Sequence, residues 1–130
     1  MFIRFPRRAI FSFALMTSSA AMWPAPVLAA GDAAKGKAAY AQRCASCHSL
    51  EYNGAGPAHR GLLGRKAGTV ADFTYSPALR NSGVTWSGES LEQWLSDPEK
   101  FIPGQKMWIS VPDAVERQDI IAYLRAEAGK

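Results

Sequence analysis

The alternation of apolar and polar positions divides the chain into two unlike parts. Three arginines, Arg4, Arg7 and Arg8, precede an apolar run from Ala9 to about Met22, and a Pro-containing stretch then closes on Val27-Leu28-Ala29-Ala30. A basic start, an apolar middle and a small-residue end are the three parts of a secretory signal peptide, with cleavage after Ala29 or Ala30. The rival reading is an uncleaved membrane anchor. The apolar run is shorter than the roughly 20 residues that cross hydrocarbon, which favours cleavage. Arg7-Arg8 hints at the twin-arginine route, but its surroundings fit that pattern poorly, and Sec export is the better reading. Residues 1–29 are thus read as a signal segment and 30–130 as the mature domain.

Within the second part the pattern turns helical. Asp32 is placed as the N-cap of a first helix, Ala33 to about Cys44, which Gly36 interrupts at some cost in propensity. Either the helix simply tolerates that glycine, or another backbone approaches there, with the last helix the natural candidate. From Ser49 to Ser82 the chain reads as loop, punctuated by Gly54, Gly56-Pro57, Gly61, Gly64, Gly68 and Pro77. Such a long structureless stretch counts against a compact domain unless it wraps a ligand. A second helix is expected from Ser87 to Asp97, ended by Pro98, with Leu91, Trp94 and Leu95 at i, i+3 and i+4 on one face. Pro98 to Pro112 reads as another loop. A last helix opens at Asp113-Ala-Val-Glu116 with Ile120, Tyr123 and Leu124 on its apolar face. No convincing strand or repeat occurs, so the class is all-α with unusually long loops.

Charge changes the picture once the first segment is set aside. The whole chain has 15 Lys+Arg against 11 Asp+Glu, a balance of +4. Three of those arginines and no acid precede residue 30, which leaves 12 against 11, or +1, for the mature part. With no basic run and no cationic helix face, nucleic-acid binding has no support. About 100 residues make one domain, and a core that small gains much from a large buried cofactor.

The chemistry is concentrated in Cys44-Ala45-Ser46-Cys47-His48, the C-x-x-C-H pattern of covalent haem attachment. Two thiols separated by two residues can each form a thioether with a vinyl-bearing edge of the porphyrin, and the adjacent His is delivered to the iron. A disulfide is compatible with an exported protein but has no use for His48. A thioredoxin-like pair expects a βαβ setting, and zinc expects four ligands, whereas His59 is the only other His and no other Cys exists. Met107 is the only Met beyond the first segment, since Met1, Met16 and Met22 lie within it. His/Met ligation suits electron transfer, so Met107 is the candidate second ligand. Without the haem motif it would be read as core filler. His59 is the rival, close in sequence to His48 and hard to deliver to the opposite face.

The chain resembles class I cytochrome c, near the mitochondrial and bacterial cytochrome c2 branch. The resemblance is carried by Cys44–His48, Gly56-Pro57, Gly61-Leu62-Leu63-Gly64-Arg65-Lys66, Tyr75, Trp86, Pro98 and Phe101-Ile102-Pro103-Gly104-Gln105-Lys106-Met107. It implies an all-α fold of three or more helices with long loops wrapped around one haem c, covalent through Cys44 and Cys47 and ligated by His48 and Met107. It also implies that the Pro57 carbonyl accepts a hydrogen bond from His48, and that Arg65, Tyr75 and Trp86 bond or neutralise a buried propionate. Gly36 and Tyr40 would then meet Tyr123 and Leu124 where the first and last helices cross. Several positions depart from the family pattern. His59 stands where a core Leu is usual, Trp94 where Tyr is usual, Gln105 replaces a common Thr, and Leu79 a polar Asn. Glu99 interrupts what is a lysine-rich rim in the mitochondrial proteins.

The function implied is that of a periplasmic, single-haem electron carrier, not an enzyme. It would exchange electrons with redox protein partners, a donor and an acceptor, as a monomer. It would have no small-molecule substrate and would meet the membrane only by transient docking. Two alternatives stand: a dedicated haem subunit of a periplasmic dehydrogenase or oxidase, and a haem enzyme with a labile sixth ligand. Near-neutral mature charge predicts weak electrostatic steering. A less polar patch around Trp108, Ile109 and Val111 is then the candidate docking region, with Trp108 an anchor if exposed and core if buried.

Overall fold

The computed structural model describes residues 1–2 and 30–127. The reading of 1–29 as an export segment therefore falls, but for its first two positions, outside the described residues. Five helices follow in chain order: α1 (Ala33–Arg43), α2 (Pro77–Arg80), α3 (Gly88–Ser96), α4 (Pro98–Phe101) and α5 (Ala114–Glu127). Among the described residues there is no strand; a single bridge joins Lys66 and Thr85.

Each longer helix begins where its cap dictates. The Asp32 carboxylate accepts from the N–H groups of Ala34 (2.9 Å) and Lys35 (3.1 Å), which hold its pKa below the usual carboxylate value. At α3, Ser87 and Ser90 form a reciprocal capping box. At α5, Asp113 accepts from the N–H of Glu116 at 2.8 Å. Two short helices interrupt segments read as loop, α2 within Ser49–Ser82 and α4 within Pro98–Pro112. In both, a proline stands at the first helical position behind a capping Ser76 or Asp97, and Pro98 also follows the end of α3 as expected.

α1 and α5 cross at backbone contact. A Cβ on Gly36 would lie 1.9 Å from the carbonyl oxygen of Asp119, so no side chain fits between the helices there. The same meeting places Tyr40 against Tyr123, ring centroids 5.3 Å apart. The Asp119 carboxylate, itself buried, accepts the N–H of Asp32 at 2.6 Å. Behind the crossing lies one core, built from Leu91, Trp94 and Leu95 of α3, Ile120, Ile121 and Leu124 of α5, and Leu62, Trp86, Ile102 and Val111 from the connections. Each fully buried aliphatic side chain of this kind contributes about 1.5–3 kcal/mol. Val111, only 1% exposed, belongs to this core, so the surface patch expected around Trp108 does not include it.

The long segment after α1 is not loose. Gly64 N–H donates to Trp86 O (2.8 Å), Trp86 N–H to Arg65 O (2.9 Å) and Ala67 N–H to Val84 O (2.8 Å), which pins it along residues 84–86. α3 and α5 are tied by Arg117, whose Nε meets Glu92 Oε1 at 2.5 Å while Nη1 donates to the carbonyls of Val111 and Pro112.

In an open helix Gly→Ala is stabilising by about 0.5–1 kcal/mol. At the crossing the sign reverses: Gly36→Ala is expected to cost about 3 kcal/mol or more. Guanidinium unfolding of the mature protein measures it, and a neutral or stabilising result contradicts the crossing described here.

Candidate functional site

The end of α1 presents the Cys-rich motif. Cys44 caps the helix, its N–H donating to Tyr40 O at 2.8 Å, and the N–H groups of Cys47 (3.0 Å) and His48 (2.8 Å) both return to Cys44 O. These turns gather the motif into a compact knot. Both cysteines are free thiols, Cys44 half-buried and Cys47 exposed, so no disulfide joins them. Burial pushes the Cys44 thiol up to about 11, against a partly opposing pull from Arg43.

The histidine of the motif is held through one nitrogen. His48 Nδ1 lies 2.8 Å from Pro57 O. A carbonyl can only accept, so Nδ1 carries the proton and donates, and Nε2 keeps an uncommitted lone pair. Burial lowers the pKa of the ring, with the Pro57 bond partly opposing, which favours the neutral form a metal ligand needs. The turn carrying Pro57 rests on the motif, since Gly56 N–H donates to Cys47 O at 2.8 Å. A Cβ on Gly56 would meet His48 Cε1 at 2.2 Å, so the ring lies directly against this backbone.

His59 packs beside His48 instead of opposite it. The rings stack with centroids 4.0 Å apart and planes 21° from parallel. A metal–imidazole bond is about 2 Å long, so two imidazoles on opposite sides of one iron have even their nearest nitrogens about 4 Å apart, and their centroids further. Face-to-face stacking leaves no such space. His59 Nδ1 also meets the Tyr40 hydroxyl at 3.1 Å. Its pKa is held well below the usual value by burial first, then by His48 and Arg65.

The remaining candidates are Arg65, Tyr75, Trp86 and Met107, of which Arg65 and Trp86 are joined by the Trp86 N–H to Arg65 O bond. Arg65 donates from Nη1 to Arg60 O (2.9 Å) and from Nη2 to Ala58 O (2.8 Å). Its guanidinium is half-buried, forms no ion pair with a carboxylate among the described residues, and has Tyr75 as an electrostatic neighbour. Tyr75 is buried; its hydroxyl accepts from Val70 N–H at 3.3 Å and its ring lies edge-on to Phe73. Trp86 is buried with its ring edge-on to Trp94, centroids 5.4 Å apart. Met107 is half-buried against the core, and its N–H donates to the side-chain oxygen of Gln105.

This donor set fits haem c. Two free thiols separated by two residues sit beside a His biased toward its neutral form, a half-buried thioether lies against the core, and a half-buried cation is available for an acidic substituent. Zinc is less well served, since no group of three or more His, Cys, Asp or Glu able to hold a metal occurs among the described residues. The sequence pattern did not reveal the stacking of His59 on His48 or the bond from His59 to Tyr40. The one signal was a histidine at a place where the resembled family usually has a core Leu.

The family model described as cytochrome c matches residues 33–127. Cytochrome c 2.1 of Caenorhabditis elegans is 44% identical over 104 residues, covering 78% of this chain and 94% of the relative. Cytochrome c2 of Rhodomicrobium vannielii is 36% identical over 119 residues, covering 88% and 94%. Among solved structures, cytochrome cH from Methylobacterium extorquens superposes with a TM-score of 0.70 at 48% identity, over 74% of this chain and 99% of that one.

The contact between Gly56 and His48 makes a direct prediction. Gly56→Ala must turn the ring off Pro57 or lift the turn, and is expected to cost about 2 kcal/mol or more. Urea unfolding reads the cost. A slowly exchanging His48 ring-proton resonance, present in the parent and lost in the variant, identifies its origin.

Proposed function

Because the chain belongs to the cytochrome c family, whose members carry electrons on covalently bound haem c, we propose that it is a periplasmic single-haem carrier using His48 and Met107 as the axial ligands. The observation that carries this reading is the geometry of His48, fixed through Nδ1 to Pro57 O with Nε2 left over, in a motif whose two thiols share no disulfide. Haem iron, when bound, supplies a one-electron couple.

The protein's part is to keep its ligands still. Cys44 and Cys47 would tether the group covalently. Pro57 fixes the orientation and tautomer of His48, which favours one ligand geometry in both oxidation states. Met107 would close the remaining position; His/Met ligation raises the potential and leaves no site for a small molecule. Arg65, Tyr75 and Trp86 supply a half-buried cation and polar tips suited to a propionate. Export is supported by the basic start, apolar run and small-residue end of residues 1–29.

The spectrum of the mature protein tests the reading. Sharp reduced bands, a weak red band from sulfur on ferric iron, and no response to carbon monoxide are expected. Met107→Ala is expected to lose the red band, bind carbon monoxide and fall in potential. If the parent binds carbon monoxide readily, the carrier reading gives way to an enzyme with a labile sixth ligand.

Partner exchange has its own test. Trp108 is 90% exposed immediately after Met107, with Ile109 beside it, while the mature chain is nearly neutral. This favours contact through an apolar anchor over long-range steering. Trp108→Ala is expected to slow electron exchange with the physiological partner roughly tenfold, and salt is expected to change the rate of either protein little. The same exposed ring supports the second reading, a dedicated haem subunit. Co-elution of a stable complex with one dehydrogenase or oxidase decides for it.

A further inference from the structure

Met107 lies on a stretch that the core holds loosely. Gly104, Lys106, Trp108, Ile109 and Ser110 are all exposed, and Met107 itself is half-buried. A side chain from another element ties this stretch down. Glu99, the second residue of α4, accepts the N–H of Gly104 on Oε1 at 2.9 Å and the side-chain Nε2 of Gln105 on Oε2 at 3.3 Å. Gln105, only 8% exposed, then accepts the N–H of Met107 on its own Oε1.

The chemistry of these groups allows only one arrangement of the amide. A carboxylate only accepts, so the NH2 end of Gln105 faces Glu99; the Met107 N–H only donates, so the carbonyl end faces Met107. The base of the path is firm. α4 is capped by Asp97, which accepts Lys100 N–H at 3.1 Å, and is anchored by buried Pro98 and Ile102. A continuous path of hydrogen bonds therefore runs from a fixed helix to the backbone of the candidate ligand. Glu99 and Gln105 are two of the positions where the chain departs from its family's pattern, and they contact each other.

We infer that Glu99 is a positioning residue for Met107: through Gly104 and Gln105 it holds the loop so that the thioether stays at the iron. This rests on the reading of Met107 as the sixth ligand. Loss of the carboxylate frees the Gln105 amide to rotate, and the Met107 N–H loses its oriented acceptor. The result is more frequent departure of sulfur from iron without unfolding of the domain, because Glu99 itself is exposed and lies outside the core.

The test uses ferric, haem-loaded mature protein and imidazole as a competing ligand. Imidazole affinity, the red sulfur–iron band and the unfolding midpoint are measured for the parent, Glu99→Ala, Glu99→Gln, Gln105→Ala and the double alanine variant. Glu99→Ala is expected to bind imidazole about tenfold more tightly and to show a weaker red band. Glu99→Gln keeps one acceptor oxygen and is expected to fall between. The double variant is expected to fall short of the summed effects of the two single variants, since they share the Gln105 path while the Gly104 bond belongs to Glu99 alone. Glu99→Ala within about twofold of the parent in imidazole affinity, or full additivity of the two alanine variants, overturns the inference. A parent that lacks the red band overturns the Met107 ligation itself, and the inference with it. A parent that shows the band alongside an unaltered Glu99→Ala overturns the positioning role alone.

Discussion

The backbone contact between α1 and α5 at Gly36 sets the position of everything that carries chemistry. Packed helix axes ordinarily lie 8–10 Å apart, at a distance set by intervening side chains. Here the Asp119 carbonyl occupies the space where a Cβ would stand, and the two helices close on each other. The closure brings Tyr40 to Tyr123, buries Ile120 and Leu124, and fixes the direction in which α1 ends. Cys44 caps that end, so the attachment motif inherits its place from a contact two turns earlier in the same helix.

Around the motif, charge is kept out while polarity is kept satisfied. His48 and His59 are both shifted toward their neutral forms, chiefly by burial, so two stacked rings avoid mutual repulsion. Each ring still has a partner for one nitrogen, Pro57 O for His48 and the Tyr40 hydroxyl for His59. Arg65 keeps its charge while half-buried by donating to two carbonyls. An apolar, low-dielectric surround makes such a cation costly alone and strongly attractive to an anion.

Much of this was legible in the chain. Asp32, the Leu91–Trp94–Leu95 face and the Asp113 start located the three long helices, because caps and helical periodicity are local signals. Gly36 left two readings open, tolerance in a stretch otherwise rich in Ala and Lys or close approach of another backbone, and the Asp119 carbonyl decides for the second. What was not legible depended on context. Pro77 and Pro98 look alike whether they end a loop or begin a helix; only the preceding Ser76 and Asp97 caps, which form once the backbone turns, decide between the two. Val111 and Trp108 are both apolar and three positions apart, yet one is core and the other exposed, because the loop bends back where Val111 N–H reaches Leu95 O at 2.7 Å. The stacking of His59 on His48 depends on a turn whose geometry no short pattern encodes.

The bond from the Asp32 N–H to the Asp119 carboxylate spans 87 positions of sequence. Its two ends belong to the first and last helices of the domain, and the Gly36 contact lies beside it. Contacts of that separation close only after a large entropic cost has been met, and they are the slow ones to form. A chain emerging N-terminus first therefore presents Cys44, Cys47 and His48 well before α5, the helix that α1 crosses. The topology thus makes the last helix the element that completes the packing of the first.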